Sequence, residues 1–267
     1  MDNKSTIAVI AGSGNLPIRI IEKLSELKRE FVVLSISGFG PSCYPQFKIG
    51  EVGRILDFIR SFNASDVLFC GAVKRPSLLS LKLDAVGLKW LKLLGVRAFL
   101  GDDALLKGIK KLLLKEKINI VGPHSILNTL LTPKGLLTTM SPSEGDLNDI
   151  ARGIFVLNAL ARADVGQAVI VQEGVVLGIE AAEGTKCLIE RCLALKLSSQ
   201  RGGVLVKISK TNQEQLVDLP TIGPNTIAEV EFSKLSGIAL ESGKSQIVDY
   251  DETITLANKN GVFIIGI

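Results

Sequence analysis

Four short runs of aliphatic and β-branched residues dominate the first half of the chain: TIAVIAG from Thr6, FVVLSIS from Phe31, DVLFCGAV from Asp66 and INIVG from Ile118. Each reads as a strand buried on both faces. Helical patterns separate them. Arg54 to Phe62 places Ile55, Phe58, Ile59 and Phe62 on one face, and Asp103 to Lys115 does the same with Leu105, Leu106, Ile109, Leu112 and Leu113. Strand and helix alternating in this way imply an α/β fold whose N-terminal domain is a Rossmann-like parallel sheet.

After LTPKGLLTTMSPSEGD the pattern changes. A helix from about Leu147 to Ala163 leads into AVIVQEGVVLGIE, two alternating strands joined at Glu173-Gly174 as a hairpin. A helix after Thr185, the strand GVLVKIS, a helix around Thr226 to Lys234, the strands GIALE and QIVD, a short helix and a final VFIIGI follow. The expected division is an N-terminal domain over 1–135, a linker over 136–146 and a C-terminal α+β catalytic domain over 147–267. A cleft between two domains is a common place for a ligand, and it is expected to hold one here.

Composition narrows the function. At 267 residues, 46% hydrophobic, the chain is long enough for a substantial core. A formal charge of +4, with lysines spread over helices and not gathered with aromatics, argues against nucleic acid and for an anionic surface or phosphorylated ligand. Cys43, Cys70, Cys187 and Cys192 fit neither a redox pair nor a zinc ribbon and read as reduced core residues. The start of the chain lacks the apolar region of a secretory signal, and no segment reaches the roughly 20 apolar residues of a bilayer span, so a cytoplasmic protein is expected.

The loop after the first strand, Gly12-Ser13-Gly14-Asn15-Leu16-Pro17, is almost a dinucleotide fingerprint, but Pro17 stands where the third glycine belongs. Backbone N–H groups at a helix N-terminus still offer an anion site, and proline suits a first helical turn. The second strand ends Ser35-Ile36-Ser37-Gly38, without the acidic residue that a nicotinamide ribose requires. A tight turn with no ligand is the competing reading.

Several carboxylates are candidates for chemistry. Asp102 and Asp103 open a helix whose lysines lie toward its end, which the helix dipole alone explains; they could also offer oxygen ligands to Mg²⁺ or Mn²⁺. His124 is the only histidine, so mechanisms needing a histidine pair are excluded, and it reads as a structural hydrogen-bonding residue. Asp218 follows Leu216-Val217 and precedes Pro220, which stiffens Leu219, and a helix capped by Asn225 or Thr226 follows; it could bind metal, activate water, or merely turn the chain. Glu180 ends a strand, and Glu183-Gly184-Thr185 turns into a helix that Thr185 can cap, a second anion-site candidate or an ordinary connection.

IAGSGNLP, GAVKRP, GDDALL, GPH, DVGQAVIVQEGVVLGIEAAEGT and VDLPTIG, in this order across the chain, resemble the LpxI-type UDP-2,3-diacylglucosamine pyrophosphatases. The resemblance implies a Mg²⁺-dependent hydrolase of lipid A biosynthesis that splits UDP-2,3-diacylglucosamine into UMP and 2,3-diacylglucosamine 1-phosphate (lipid X), with water attacking the phosphorus on the sugar side. It implies Asp218 as the carboxylate needed for turnover. It also implies Gly12, Ser13, Gly14, Asn15 and Leu16 near the substrate, with Gly71, Ala72, Lys74, Gln167, Glu180 and Thr185 as further contacts.

The family often shows Lys-Pro-x-Gln upstream of that aspartate; here Lys210 is followed by Thr211-Asn212-Gln213, keeping the lysine and glutamine on a less rigid loop. On physical grounds a metal at Asp218, helix N-termini and a lysine such as Lys207 or Lys210 would neutralise the phosphoryl oxygens. Two acyl chains call for an apolar groove and a peripheral place at the cytoplasmic face of the inner membrane. SLLSLKLDAVGLKWLKLL, Ser77 to Leu94, mixes leucines and Trp90 with lysines as an interfacial segment does; a core helix or a homodimer contact is the competing reading. The alternative function is a non-catalytic nucleotide-sugar sensor.

Overall fold

The computed structural model describes residues 5–74, 81–95, 102–163, 165–198, 200–209 and 219–267, with only the backbone of Asp102, Asp103, Asn128 and Arg162. They form two compact units, one reaching Asn128 and one starting at Thr129.

In the first unit, β1 (Ile7–Ala11), β2 (Phe31–Ile36), β3 (Gln46–Phe47), β4 (Asp66–Cys70) and β5 (Asn119–Ile120) form one sheet in the order β3-β2-β1-β4-β5. Every pairing is parallel, with Ile7 opposite both Phe31 and Asp66. This is the Rossmann order, and its direction reverses between β1 and β4, so loops leaving the carboxyl ends of those strands flank the switch point. β1 is buried throughout, as its uninterrupted apolar run requires.

Helices α1 (Leu16–Glu26), α2 (Val52–Ser61), α3 (Ala85–Leu94) and α4 (Asp102–Lys115) flank this sheet. Ile59, Leu112, Leu113 and Trp90 join Ala8, Leu34 and Val67 in its core. The inward face of α2 is as expected at Ile55, Phe58 and Ile59 and differs at Phe62. Leu56 and Ile59 are buried, whereas Phe62 lies just past the helix end, half exposed, with its ring 5.1 Å from that of Phe58.

The second unit holds β6 (Gly135–Leu136), β7 (Ala168–Gln172), β8 (Val175–Ile179), β9 (Val204–Lys207), β10 (Thr221–Ile222), β11 (Gly237–Leu240), β12 (Gln246–Ile247) and β13 (Phe263–Gly266). Six of these form a mixed sheet in the order β6-β13-β11-β9-β7-β8, and β10 and β12 pair separately. β9, β11 and β13 run parallel, while β7 is antiparallel to both β8 and β9.

Alternation along each strand covers both faces. Val204, Val206, Val169 and Val171 pack with Ile150 and Leu157 of α5 (Glu144–Leu160). Leu205, Ile170, Ile238 and Ile264 pack oppositely, with Leu188 of α6 (Gly184–Leu193), Ile227 of α7 (Pro224–Phe232) and Ala257 of α8 (Tyr250–Lys259). The Glu173-Gly174 turn joins β7 to β8 with both residues at positive φ, +53° and +77°, as a two-residue hairpin requires. Buried Asp149 accepts from both of its N–H groups at 3.1 and 2.7 Å.

The division after Asn128 precedes the expected linker over 136–146. Residues just beyond it already belong to the second unit: Leu131 bridges Gln246, Thr132 N donates to Ser245 O at 2.9 Å, and β6 pairs antiparallel with β13. α5 also begins earlier than Leu147. Ser143 caps it, and the Asp146 carboxylate returns to Ser143 N at 2.9 Å, a complete capping box. Of the four cysteines, all free, only Cys70 and Cys192 are buried; Cys43 and Cys187 are exposed, so the expectation of core residues holds for two of them.

Candidate functional site

The carboxyl edge of the first sheet is built from backbone. Gly12 N donates to Cys70 O at 2.8 Å, Ser13 N to Ala72 O at 2.9 Å, and Ala72 N to Ser13 O at 3.0 Å. Ser13 Oγ also donates to Ala72 O, at 2.9 Å. The loops after β1 and β4 are thereby laced together at the switch point.

Lacing leaves no room for a side chain at two positions. A Cβ on Gly12 would stand 2.7 Å from Ala72 O, and one on Gly71 would stand 2.6 Å from Ser13 O and 2.9 Å from Pro17 Cγ. Gly71 also has φ +85°, a conformation that favours glycine. Pro17 is buried in the first turn of α1 with its ring against Gly71, so the close approach that a third glycine gives a dinucleotide loop is supplied here by the neighbouring loop. Asn15 stands at the N-cap of α1, and its side chain makes no capping bond to the helix.

The rest of this edge follows the sequence with one exception. Beyond β2 no carboxylate appears; Ser35 is buried and its hydroxyl donates to Pro41 O at 2.8 Å. Lys74 is exposed beyond Ala72. His124 follows β5 in a short 3-10 turn, and burial holds its pKa below the ordinary histidine value, so it is neutral at pH 7. Its Nδ1 is buried with no hydrogen-bond partner, so the expected hydrogen-bonding role is not seen at that atom. The ring instead fills the turn against Gly122.

The corresponding edge of the second sheet is built from side chains. Lys207 ends β9, opposite Ala168 at the start of β7 and Leu240 at the end of β11. Glu180 follows β8 directly, and its N–H donates to Ala168 O at 2.8 Å. Both side chains are buried, Glu180 with 7% and Lys207 with 3% exposure. Glu180 accepts from Thr185 Oγ1 at 2.6 Å and from Gln167 N at 3.1 Å. The Lys207 ammonium donates to Thr185 Oγ1 at 2.8 Å and to the carbonyl of Thr221 at 3.1 Å. Gln167, Glu180, Thr185 and Lys207 thus come together.

Two expected caps are corrected. Glu183, not Thr185, occupies the N-cap of α6, because the Thr185 hydroxyl is engaged by Glu180 and Lys207. Gly223, not Asn225 or Thr226, occupies that of α7, with Pro224 opening the helix.

Sequence reasoning missed Glu241. It follows β11 at the same edge, and its carboxylate accepts from Ser209 N at 2.8 Å, Ser209 Oγ at 2.6 Å and Lys244 Nζ at 2.8 Å. Burial pushes its pKa up, but Lys244 and Ser209 outweigh that and hold it below the ordinary glutamate value. A carboxylate ending the strand GIALE, beside a strand ending in lysine, was the available signal.

Asp218, Lys210 and Gln213 lie outside the described residues, as do the side chains of Asp102 and Asp103, whose backbone opens α4. Among the described residues no group of three or more His, Cys, Asp or Glu side chains could hold a metal ion. Mg²⁺ needs fewer, since it is commonly held by one or two carboxylates together with phosphate oxygens of a substrate.

Comparison with known proteins covers both units. The family model described as the LpxI N-terminal domain matches residues 6–130, and that described as the LpxI C-terminal domain matches residues 133–265. A protein of Caulobacter vibrioides named UDP-2,3-diacylglucosamine pyrophosphatase LpxI is 37% identical over 271 residues, spanning 98% of this chain and 97% of its own.

Solved structures are more distant. A UDP-glucose 4-epimerase of Thermus thermophilus in complex with NAD gives a TM-score of 0.26 at 18% identity, over 52% of this chain and 41% of its own. An N5-carboxyaminoimidazole synthase of Aspergillus clavatus gives 0.23 at 12% identity, over 74% and 45%. At such scores neither carries an argument. Two matched domains and a relative aligned from end to end establish that the chain belongs to the LpxI family.

Proposed function

We propose that this protein hydrolyses the pyrophosphate bond of UDP-2,3-diacylglucosamine, giving UMP and 2,3-diacylglucosamine 1-phosphate in lipid A biosynthesis. The observation that carries this reading is the 37% identity to a UDP-2,3-diacylglucosamine pyrophosphatase over nearly the whole of both chains. Water attacks the sugar-side phosphorus, the bond to the bridging oxygen breaks, and that oxygen leaves on UMP. The water oxygen ends on the lipid phosphate.

In this reading the laced loop of Gly12 to Leu16, with Gly71 to Lys74 beside it, receives part of the nucleotide diphosphate at the N-terminus of α1. Backbone N–H groups and the helix dipole favour negative charge there. Lys74, exposed at the end of the second loop, adds a cation. Asp218 is the carboxylate on which turnover depends. It stands three residues before Thr221, and three residues of chain reach no more than about 11 Å.

Mg²⁺, with Mn²⁺ as a substitute, would be held by Asp218 and the substrate's own oxygens, with Asp102 and Asp103 as further candidates; when bound, it supplies charge neutralisation on the phosphoryl group. An amphiphilic substrate places the enzyme at the cytoplasmic face of the inner membrane. No helix among the described residues is long and apolar enough to cross a membrane. Exposed Leu88 and Leu93 beside Lys89 and Lys92 on α3 suit a peripheral contact.

The test is UMP release with Mg²⁺, with EDTA, and from Asp218→Asn. Metal-dependent release that falls by at least about a hundredfold in the variant is the expected result. Well-folded, metal-loaded protein that binds substrate but releases nothing would leave a nucleotide-sugar sensor as the better account.

A further inference from the structure

A single hydroxyl joins two buried charges at the edge of the second sheet. Thr185 Oγ1 donates to Glu180 Oε1 at 2.6 Å and accepts from Lys207 Nζ at 2.8 Å. An ammonium group can only donate and an ionised carboxylate can only accept, so the direction of both bonds is forced. With its one hydrogen aimed at Glu180, the hydroxyl turns a lone pair to Lys207. Serine could do the same; valine, of the same shape, could do neither.

Lys207 is buried, with 3% exposure. Its contacts include two protein oxygens: Thr185 Oγ1 and the carbonyl of Thr221 at 3.1 Å. That carbonyl belongs to a stretch fixed at each residue. Gln246 N donates to Pro220 O at 2.8 Å, Thr221 Oγ1 donates to Leu219 O at 2.9 Å, and Leu219 and Pro220 are buried. Leu219 is the residue after Asp218. Burying an ammonium and a carboxylate adds little net stability, so such an array is better explained by the geometry it imposes.

We infer that Thr185 is a positioning residue for the reaction: it holds the Lys207 ammonium on the carbonyl of Thr221 and so fixes the segment that begins at Leu219, directly after Asp218. The inference rests on the function proposed above, in which Asp218 is required. It assigns Lys207 an internal role, that of holding the Thr221 carbonyl. A misplacement of about 1 Å at a distance from the chemistry can cost a hundredfold in rate, and the loss falls on kcat when ground-state binding is untouched.

The experiment compares Thr185→Val and Thr185→Ser with the wild type for kcat and KM of UMP release, with urea midpoints measured in parallel. Thr185→Val should lower kcat by about ten- to a hundredfold with KM changed less than about threefold, and Thr185→Ser should restore kcat to within about threefold. If Thr185→Val does not fold, Thr185→Cys, close to serine in size but a weak donor and acceptor, gives the same contrast with Thr185→Ser. An unchanged kcat in a folded valine or cysteine variant overturns the inference. So does a rise confined to KM, which would make the hydroxyl a substrate contact. A wild type that releases no UMP overturns the proposed function and this inference with it; an active wild type separates the two.

Discussion

The two sheets finish their carboxyl edges in opposite ways. In the first, Gly12, Ser13, Gly71 and Ala72 come together through main-chain bonds, and the fit depends on side chains that are absent. In the second, side-chain bonds join Glu180, Thr185 and Lys207, and separately Glu241, Ser209 and Lys244, and the fit depends on particular polar atoms. An edge made of backbone is damaged by adding a carbon; one made of buried charge is damaged by removing a nitrogen or oxygen. Equal chemical changes should therefore have unequal effects at the two.

The largest effect is expected at the charged edge. Lys207→Met keeps the volume but removes the buried ammonium that the Thr185 hydroxyl links to Glu180, costing about 4 kcal/mol. Urea unfolding measures it, and a loss under about 1 kcal/mol would show that the array carries no such charge coupling. Gly71→Ala should come next, at about 3 kcal/mol, from the φ of +85° and a Cβ 2.6 Å from Ser13 O.

Gly14→Ala sharpens the contrast. Gly14 has φ +92° but nothing within 4 Å of its missing Cβ, so only backbone strain remains, about 1–2 kcal/mol. If Gly14→Ala proves as damaging as Gly71→Ala, steric closure does not define this edge.

Glu241→Gln should be the mildest, at about 1 kcal/mol near neutral pH, where it weakens three hydrogen bonds to a partly buried carboxylate. Its pKa in the fold lies below the ordinary value of 4.5, so the folded state holds fewer protons than the unfolded chain through that region. The carboxylate's contribution is complete above 4.5 and is lost as pH falls through the lower folded value. The gap between wild type and variant should thus close on acidification; a gap independent of pH would refute the charge assignment.

Much of the first unit was legible because its strands are continuous apolar runs, and a run such as TIAVIAG can hardly be read otherwise. Pro17 was legible as a departure from a fingerprint, but not its reason, which lies 54 residues away at Gly71. Lys207 stood out as a charge closing the run GVLVK; its partners did not, because the contact with Thr185 depends on the register of β7 with β8 and β9. The division after Asn128 was hidden for a related reason. β6 is two residues long, and two residues carry no periodicity by which to recognise a strand. Asp218 rests on sequence and family alone.

β13 has a consequence for the order in which the protein can be made. It lies between β6 and β11 in the second sheet, and Ile267 N donates to Leu240 O at 2.9 Å, so the strand latest in sequence among those described closes the sheet's interior. Domains fold from the N-terminus as synthesis proceeds. The described sheet strands of the first unit have been made by Ile120 and can pair while the ribosome is still working, whereas the second sheet remains open at its middle until β13 has followed. A stalled or truncated chain would thus present a finished glycine-loop edge together with an unfinished charged one, with the flanks of β6 and β11 exposed to chaperones or to pairing with other chains.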